Sequence, residues 1–182
     1  MDIEKALLRP KHLLKEDTER IAKAAAGAEK SFQDLLQLLC SENLTLSKRA
    51  AWCFSLAAGL RPDWTDQYQP ALVELLSVKN PHDALLRNVL RVLRDCRLQE
   101  AVLDKLAYYC FEFVQDPKQA IAIRAFALHI LGQIGCSVPE IRPEVKAIIA
   151  YYFEQGAPGL VSAGKAVLKR WEKANKAALP KK

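Results

Sequence analysis

Three histidines, His12, His82 and His129, and five cysteines, Cys40, Cys53, Cys96, Cys110 and Cys136, are foremost among the side chains here that can ligate a metal or act as base and nucleophile. Either chemistry needs them close together. A zinc protease holds two histidines one helical turn apart around a general base, and a structural zinc site holds closely spaced cysteine pairs. No H-E-x-x-H or H-x-x-E-H occurs, no two cysteines form a C-x-x-C pair, and the histidines are scattered along the chain. No G-x-S-x-G frames a serine, so a Ser-His-Asp triad would have to be assembled by the fold alone. Seven glycines supply neither G-x-G-x-x-G nor G-x-x-x-x-G-K, which argues against a nucleotide cofactor. The expectation is a non-enzymatic protein with no metal and no cofactor; an enzyme or enzyme subunit whose site no motif announces is the alternative.

Bland roles suit these residues better. An odd number of cysteines without a framework predicts reduced, mostly buried thiols. His82-Asp83 precedes an apolar helical stretch, where Asp83 reads as the N-cap. His129 falls off the apolar stripe of its helix and is expected to be exposed.

The elements that carry these side chains are helices. Gly, Asn and Pro clusters divide the chain into stretches of helical period at about 17–27, 30–40, 46–60, 65–78, 83–96, 98–115, 118–134, 140–155 and 158–178, and period-two alternation is nowhere sustained. The spacing i, i+4, i+7, i+8, i+11 puts five side chains on one helical face. It recurs as Leu46-Ala50-Cys53-Phe54-Ala57, Leu85-Val89-Val92-Leu93-Cys96, Ile123-Ala127-Ile130-Leu131-Ile134 and Leu160-Gly164-Val167-Leu168-Trp171, starting 39, 38 and 37 residues apart. A second family interleaves: Ala28-Phe32-Leu35-Leu36-Leu39, Trp64-Tyr68-Ala71-Leu72-Leu75, Leu103-Ala107-Cys110-Phe111-Val114 and Ile141-Val145-Ile148-Ile149-Tyr152. Three of its stripes begin 18 residues after a first-family stripe. A fixed offset inside a period near 38 is the signature of stacked helical hairpins. Asp17, Asp63 or Thr65, and Pro139-Glu140 stand at helix starts; Gly135 and Gly156 are expected just past helix ends.

The stretch from Ile123 and Arg124 through Ala127, Leu128 and Leu131 to Gly132 resembles the first helix of a HEAT repeat, and Lys48-Arg49-Ala50 and Arg87-Asn88-Val89 are looser matches. The resemblance covers about residues 28–178. It implies an all-α superhelix of HEAT-like helical hairpins, about 4 to 5 repeats, whose second helices line a concave binding surface. One domain is expected over residues 1–182: an irregular N-terminal capping unit at 1–44, regular repeats at 45–157, and a basic C-terminal cap helix and tail at 158–182. In the last unit Gly164 is expected to interrupt the helix. Some HEAT-like proteins are di-iron hydroxylases, but those require several His-Glu pairs that are absent here.

The net charge of +6 has one source. Residues 158–182 carry seven basic groups and one acid, whereas residues 1–157 carry 20 of each. Some HEAT-like proteins repair alkylated DNA through a basic groove. The second helices here carry mixed charge (Glu74; Asp104, Lys105 and Glu112; Glu144, Lys146 and Glu154), so nucleic acid is possible but not favoured. Arg87, Arg91 and Arg94 form a stripe on one first helix, read as a solvated outer face, with a phosphate patch shared with Arg49 and Arg124 as the alternative.

A protein or peptide partner is the preferred reading. Phe113 and Tyr151 lie one step off the core stripe of successive second helices, with Tyr108 a turn or so earlier, and Lys105, Glu112, Lys146 and Glu154 around them. Aromatic anchors inside a charged rim are the layout of protein interfaces. Packing between repeats is the competing role for both aromatics. Lys165, Lys169, Lys173 and Lys176 form a weaker candidate, a basic face that either solvates the cap helix or, with the tail to Lys182, meets an anionic partner. The first 20 residues are charged throughout and no apolar run approaches the roughly 20 residues of a membrane span. A cytoplasmic location is the expectation.

Overall fold

Asn43 accepts the backbone N–H groups of Thr45 and Leu46, both at 3.1 Å, and so caps the helix that runs from Leu44 to Leu60. Pro62, Pro70, Pro143 and Pro158 each stand in a first helical turn, where a missing N–H leaves no bond unmade. Gly156 ends its helix with φ of 68°, the left-handed conformation that glycine adopts without penalty. The computed structural model describes residues 1–178, and among them it contains eleven α-helices and no strand.

The helices gather into two compact units, one of Met1–Gln99 and one from Glu100 onward. In the first, α1 (Ile3–Leu8), α2 (Lys15–Ala25) and α3 (Glu29–Gln37) precede the long α4 (Leu44–Leu60), followed by the short α5 (Pro62–Gln67) and α6 (Gln69–Glu74) and by α7 (Asp83–Asp95). Helix α4 is its centre, packing on α7, α2, α3 and α1. The second unit holds α8 (Leu103–Gln115), α9 (Ile121–Ser137), α10 (Arg142–Gln155) and α11 (Pro158–Ala178). Here α9 is the centre, with α11 and α8 packed against it. Single 3-10 turns extend α3 and α6 and precede α8 and α10.

The first-family stripes are core. All five side chains of the α4 stripe and all five of the α9 stripe are buried, as are Leu85, Val89, Val92 and Leu93 on α7. In the second family Ala28, which opens the first stripe, is exposed as the N-cap of α3, and two further stripes depart from expectation. The stretch predicted as one helix over 65–78 breaks at Tyr68, because the Pro70 ring is incompatible with the helix interior. Its buried face is Thr65, Gln69, Leu72, Val73 and Leu76, each one residue beyond the predicted stripe, so Trp64 and Tyr68 are only half-buried. Gln69, with no exposed surface, donates from Nε2 to Asp66 Oδ1 at 3.1 Å and Arg97 O at 2.9 Å and accepts from Gln99 N at 3.0 Å. On α8 the buried aromatic is Phe113, and Phe111 is the half-buried one.

Two glycines expected to break helices lie inside them. Gly135 is within α9, where a Cβ would stand 2.8 Å from the Trp171 ring, and Gly164 is within α11, where a Cβ would stand 2.8 Å from Ile149. Both permit close helix approach. The cap of α7 is also reassigned: His82 is the N-cap, its Nδ1 accepting from Leu85 N at 3.0 Å, and Asp83 is a first-turn residue. Of the thiols expected to be buried, Cys53 and Cys110 are; Cys96 is half-buried, and Cys40 and Cys136 are exposed.

Candidate functional site

Four arginines that a phosphate-binding surface could have used are engaged with the backbone instead. The last carbonyls of a helix have no partner within it. Arg49 donates to Leu7 O at 2.7 Å, Pro10 O at 2.9 Å and Lys11 O at 2.9 Å, fastening the end of α1. Arg61 reaches Ala26 O at 3.3 Å, pairs with Asp63 and lies 3.1 Å over the Trp64 ring. Arg142 donates to Gly135 O at 2.6 Å and to Asn175 Oδ1 at 3.0 Å. Arg124 donates from Nε to Val114 O at 3.4 Å and from a terminal nitrogen to the Tyr152 hydroxyl at 3.0 Å, while that hydroxyl donates to Val114 O. Of the predicted α7 stripe, Arg87 and Arg91 are exposed, and Arg94 forms a two-bond pair with Asp95 at 2.8 Å.

No metal cluster of three or more His, Cys, Asp or Glu forms among the described residues. Burial raises the thiols of Cys40 and Cys110, and it pushes those of Cys53 and Cys96 up to about 12, with Asp17 adding to the effect at Cys53 and Asp66 and Asp95 at Cys96. A thiol so disfavoured as thiolate is a poor nucleophile.

The predicted aromatic site is divided by the structure. Phe113 is 9% exposed and stacks on Tyr109 at 6.3 Å, so it belongs to the core side of α8. It does not sit beside Tyr151 as a boundary aromatic. Tyr151 is 55% exposed and meets Tyr152 edge-on at 5.4 Å. Tyr108, 60% exposed, shares one face of α8 with exposed Lys105 and Glu112, at the helical spacing i, i+3, i+7. Lys146 and Glu154 are exposed on α10 but do not line the cavity beside Tyr151.

That cavity, of about 410 Å³, lies in the second unit. Glu144, Ala147, Ile148, Tyr151 and Tyr152 supply one wall from a single face of α10, the end of α8 adds Gln115 and the loop after it Pro117, and Arg124 enters from α9. Of the predicted partner-binding residues, only Tyr151 lines it. Arg124, Glu144, Ile148 and Tyr152 were visible in the sequence as repeat, charge or core positions, but nothing there signalled that they converge. Arg124 is half-buried and its Cζ lies 5.0 Å from the centre of the Tyr152 ring.

Lys165, Lys169, Lys173 and Lys176 are all exposed along α11, whose Leu160, Val167 and Trp171 are buried. The tail residues Lys181 and Lys182 expected to extend this face lie outside the described residues.

Comparison with known families decides the identity of the fold. A family model described as a HEAT repeat domain matches residues 4–171. The chain belongs to the HEAT repeat domain family. Neither the curated proteins nor the solved structures compared with it gave a match. Arg124, in the best match to the HEAT first-helix pattern, donates to Val114 O at the end of the preceding helix. Gly132, which ends that pattern, lets α11 approach so closely that a Cβ there would lie 2.5 Å from Val167. Among the described residues no helix is long and apolar enough to cross a membrane.

Proposed function

We propose that this HEAT repeat domain is a non-enzymatic scaffold that binds a protein or peptide in the α10 groove of its second unit. The observation that carries the reading is Tyr151, a large side chain left 55% exposed beside a cavity of about 410 Å³. Small-ligand and peptide sites are concave, mostly apolar and provided with a few polar groups that orient the occupant. Ala147, Ile148, Tyr151, Tyr152 and Pro117 supply the apolar walls, and Arg124, Glu144 and Gln115 the polar groups. Aromatic and arginine anchors are the side chains that contribute most at protein interfaces.

The test is affinity capture from the source cell with wild type, Tyr151→Ser and Tyr108→Ser chains. Phe113 stays untouched, because truncating a buried ring would report stability rather than binding. Tyr151→Ser is expected to lose at least one partner that both other chains retain. Identical partner lists for wild type and Tyr151→Ser refute the groove as the site.

A further inference from the structure

Arg124 and Glu144 bring opposite charges to the same groove, and the fold uses only part of the arginine. A guanidinium carries five N–H donors in one plane. Two are engaged, with Val114 O and the Tyr152 hydroxyl, and the rest have no protein partner among the described residues. Arg124 Cζ lies 5.0 Å from the centre of the Tyr152 ring, and the edge of the guanidinium that carries the unused N–H groups is what remains for a ligand. That edge matches a carboxylate or a phosphate, accepting two parallel bonds.

Burial decides which charge governs the site. Glu144 is exposed, and water screens it; Arg124 is half-buried, where an attraction of the same length is stronger. Among the described residues no ion pair forms between the two, so neither cancels the other. Glu144 at the rim nonetheless penalises a doubly charged phosphate more than a singly charged carboxylate. Capture of a chain's terminal carboxylate typically uses a nest of backbone N–H groups. The residues that line this groove instead offer a side-chain fork flanked by apolar surface.

We propose, resting on the reading of the groove as a peptide site, that its ligand is an internal peptide segment with an Asp or Glu side chain. The carboxylate is clasped by the free edge of Arg124, and an adjacent aromatic or aliphatic side chain lies against Tyr151 and Ile148. Glu144 sets an upper limit on the negative charge the segment carries.

The experiment uses the full chain labelled with nitrogen-15 and four capped dipeptides: acetyl-Phe-Asp-amide, acetyl-Phe-Asn-amide, acetyl-Phe-Lys-amide, and acetyl-Asn-Phe with a free terminal carboxylate. Saturable shifts of the Ala147, Ile148 and Tyr151 amides and of the Arg124 Nε–H are expected with acetyl-Phe-Asp-amide at millimolar concentration. The neutral Asn peptide should bind about tenfold more weakly, the usual scale for losing a charge-assisted pair. Glu144→Gln should tighten the Asp peptide about threefold, the size of an exposed like-charge contact. Arg124→Lys keeps the charge, loses the fork, and should weaken it. Equal binding of the Asp and Asn peptides, preference for the Lys peptide, or weaker binding in Glu144→Gln overturns the proposal; stronger binding of the terminal carboxylate overturns the internal segment. Glu144 makes no contact that the fold needs, so its variant decides the question even if Arg124→Lys unfolds. A partner lost on Tyr151→Ser, with no dipeptide effect, leaves the groove a peptide site and removes only the carboxylate.

Discussion

At His82 the backbone N–H of Leu85 donates to Nδ1 at 3.0 Å, so that nitrogen carries a lone pair and not a proton. The Ser47 hydroxyl donates to Leu39 O and therefore accepts from the protonated Nε2, at 2.9 Å. The relay fixes one neutral tautomer, and protonating Nδ1 would remove the N-cap of α7. Burial lowers the imidazole below its ordinary value and Lys48 lowers it further, while Asp83 opposes them. The sign follows from linkage. Below the unfolded value of 6.5 the unfolded chain binds a proton that the native site resists, so stability present above that pH is lost as pH falls toward the native value. Chemical unfolding of wild type and His82→Asn between about pH 7.5 and 5 should show it, since Asn caps a helix without titrating. The wild type should lose stability more steeply on acidification. Parallel pH profiles would mean that the imidazole titrates alike in the folded and the unfolded chain, and that burial does not lower it. The sequence placed this cap one residue too late, on Asp83. Nothing in it announced that Ser47, 35 residues away, fixes the ring.

The same glycine-to-alanine change should have opposite effects on two helices. Gly132 lies in α9 where a Cβ would meet Val167 at 2.5 Å, and Trp171 Nε1 donates to Gly132 O at 2.8 Å in the same contact. At Gly59, near the end of α4, an added Cβ would have nothing within 4 Å. Alanine restricts the unfolded chain and favours helix, which alone stabilises by roughly 0.5 kcal/mol at an exposed position. At Gly132 that gain is outweighed by overpacking, which costs about 1–3 kcal/mol. Urea unfolding should therefore move to lower denaturant for Gly132→Ala and slightly higher, or not at all, for Gly59→Ala. Stabilisation by Gly132→Ala would show that α9 and α11 do not approach as described. First helices were legible because an uninterrupted α-helix keeps its stripe in phase: Leu46 to Ala57 and Ile123 to Ile134 are buried throughout. The stretch over 65–78 was not, because Pro70 resets the phase between α5 and α6, and a change of one residue turns a helix by a quarter turn or more. The α10 groove was half legible for another reason. Tyr151 could be read as off-stripe, but Arg124 and Pro117 reach it from α9 and a loop, a convergence set by packing.

Charge across the chain divides as the sequence indicated, with four arginines of the body, Arg49, Arg61, Arg124 and Arg142, donating to carbonyls. Residues 1–157 hold equal numbers of acidic and basic groups, and the excess of six lies beyond them. On α11, Lys165, Lys169, Arg170, Lys173 and Lys176 are exposed, and Glu172 is the acid among them. The buried Leu160, Val167 and Trp171 leave that helix no apolar face to insert elsewhere, so any anion it attracts is held by charge alone. Such binding follows counterion release, with a slope of log affinity against log salt no steeper than about −4.5 for five contacts on duplex DNA. A Lys165→Glu/Lys169→Glu/Lys173→Glu chain should therefore lose retention on immobilised DNA at low salt. Its unfolding transition should stay within about 0.5 kcal/mol of wild type, because each replaced side chain is solvated. Its response to acetyl-Phe-Asp-amide should also stay unchanged, because Arg124 and Glu144 lie on other helices. Retention that survives the triple charge reversal would place the polyanion contact outside this face, with the exposed Arg87 and Arg91 of α7 among its candidates, and would bring the nucleic-acid reading back as a property of the body of the protein.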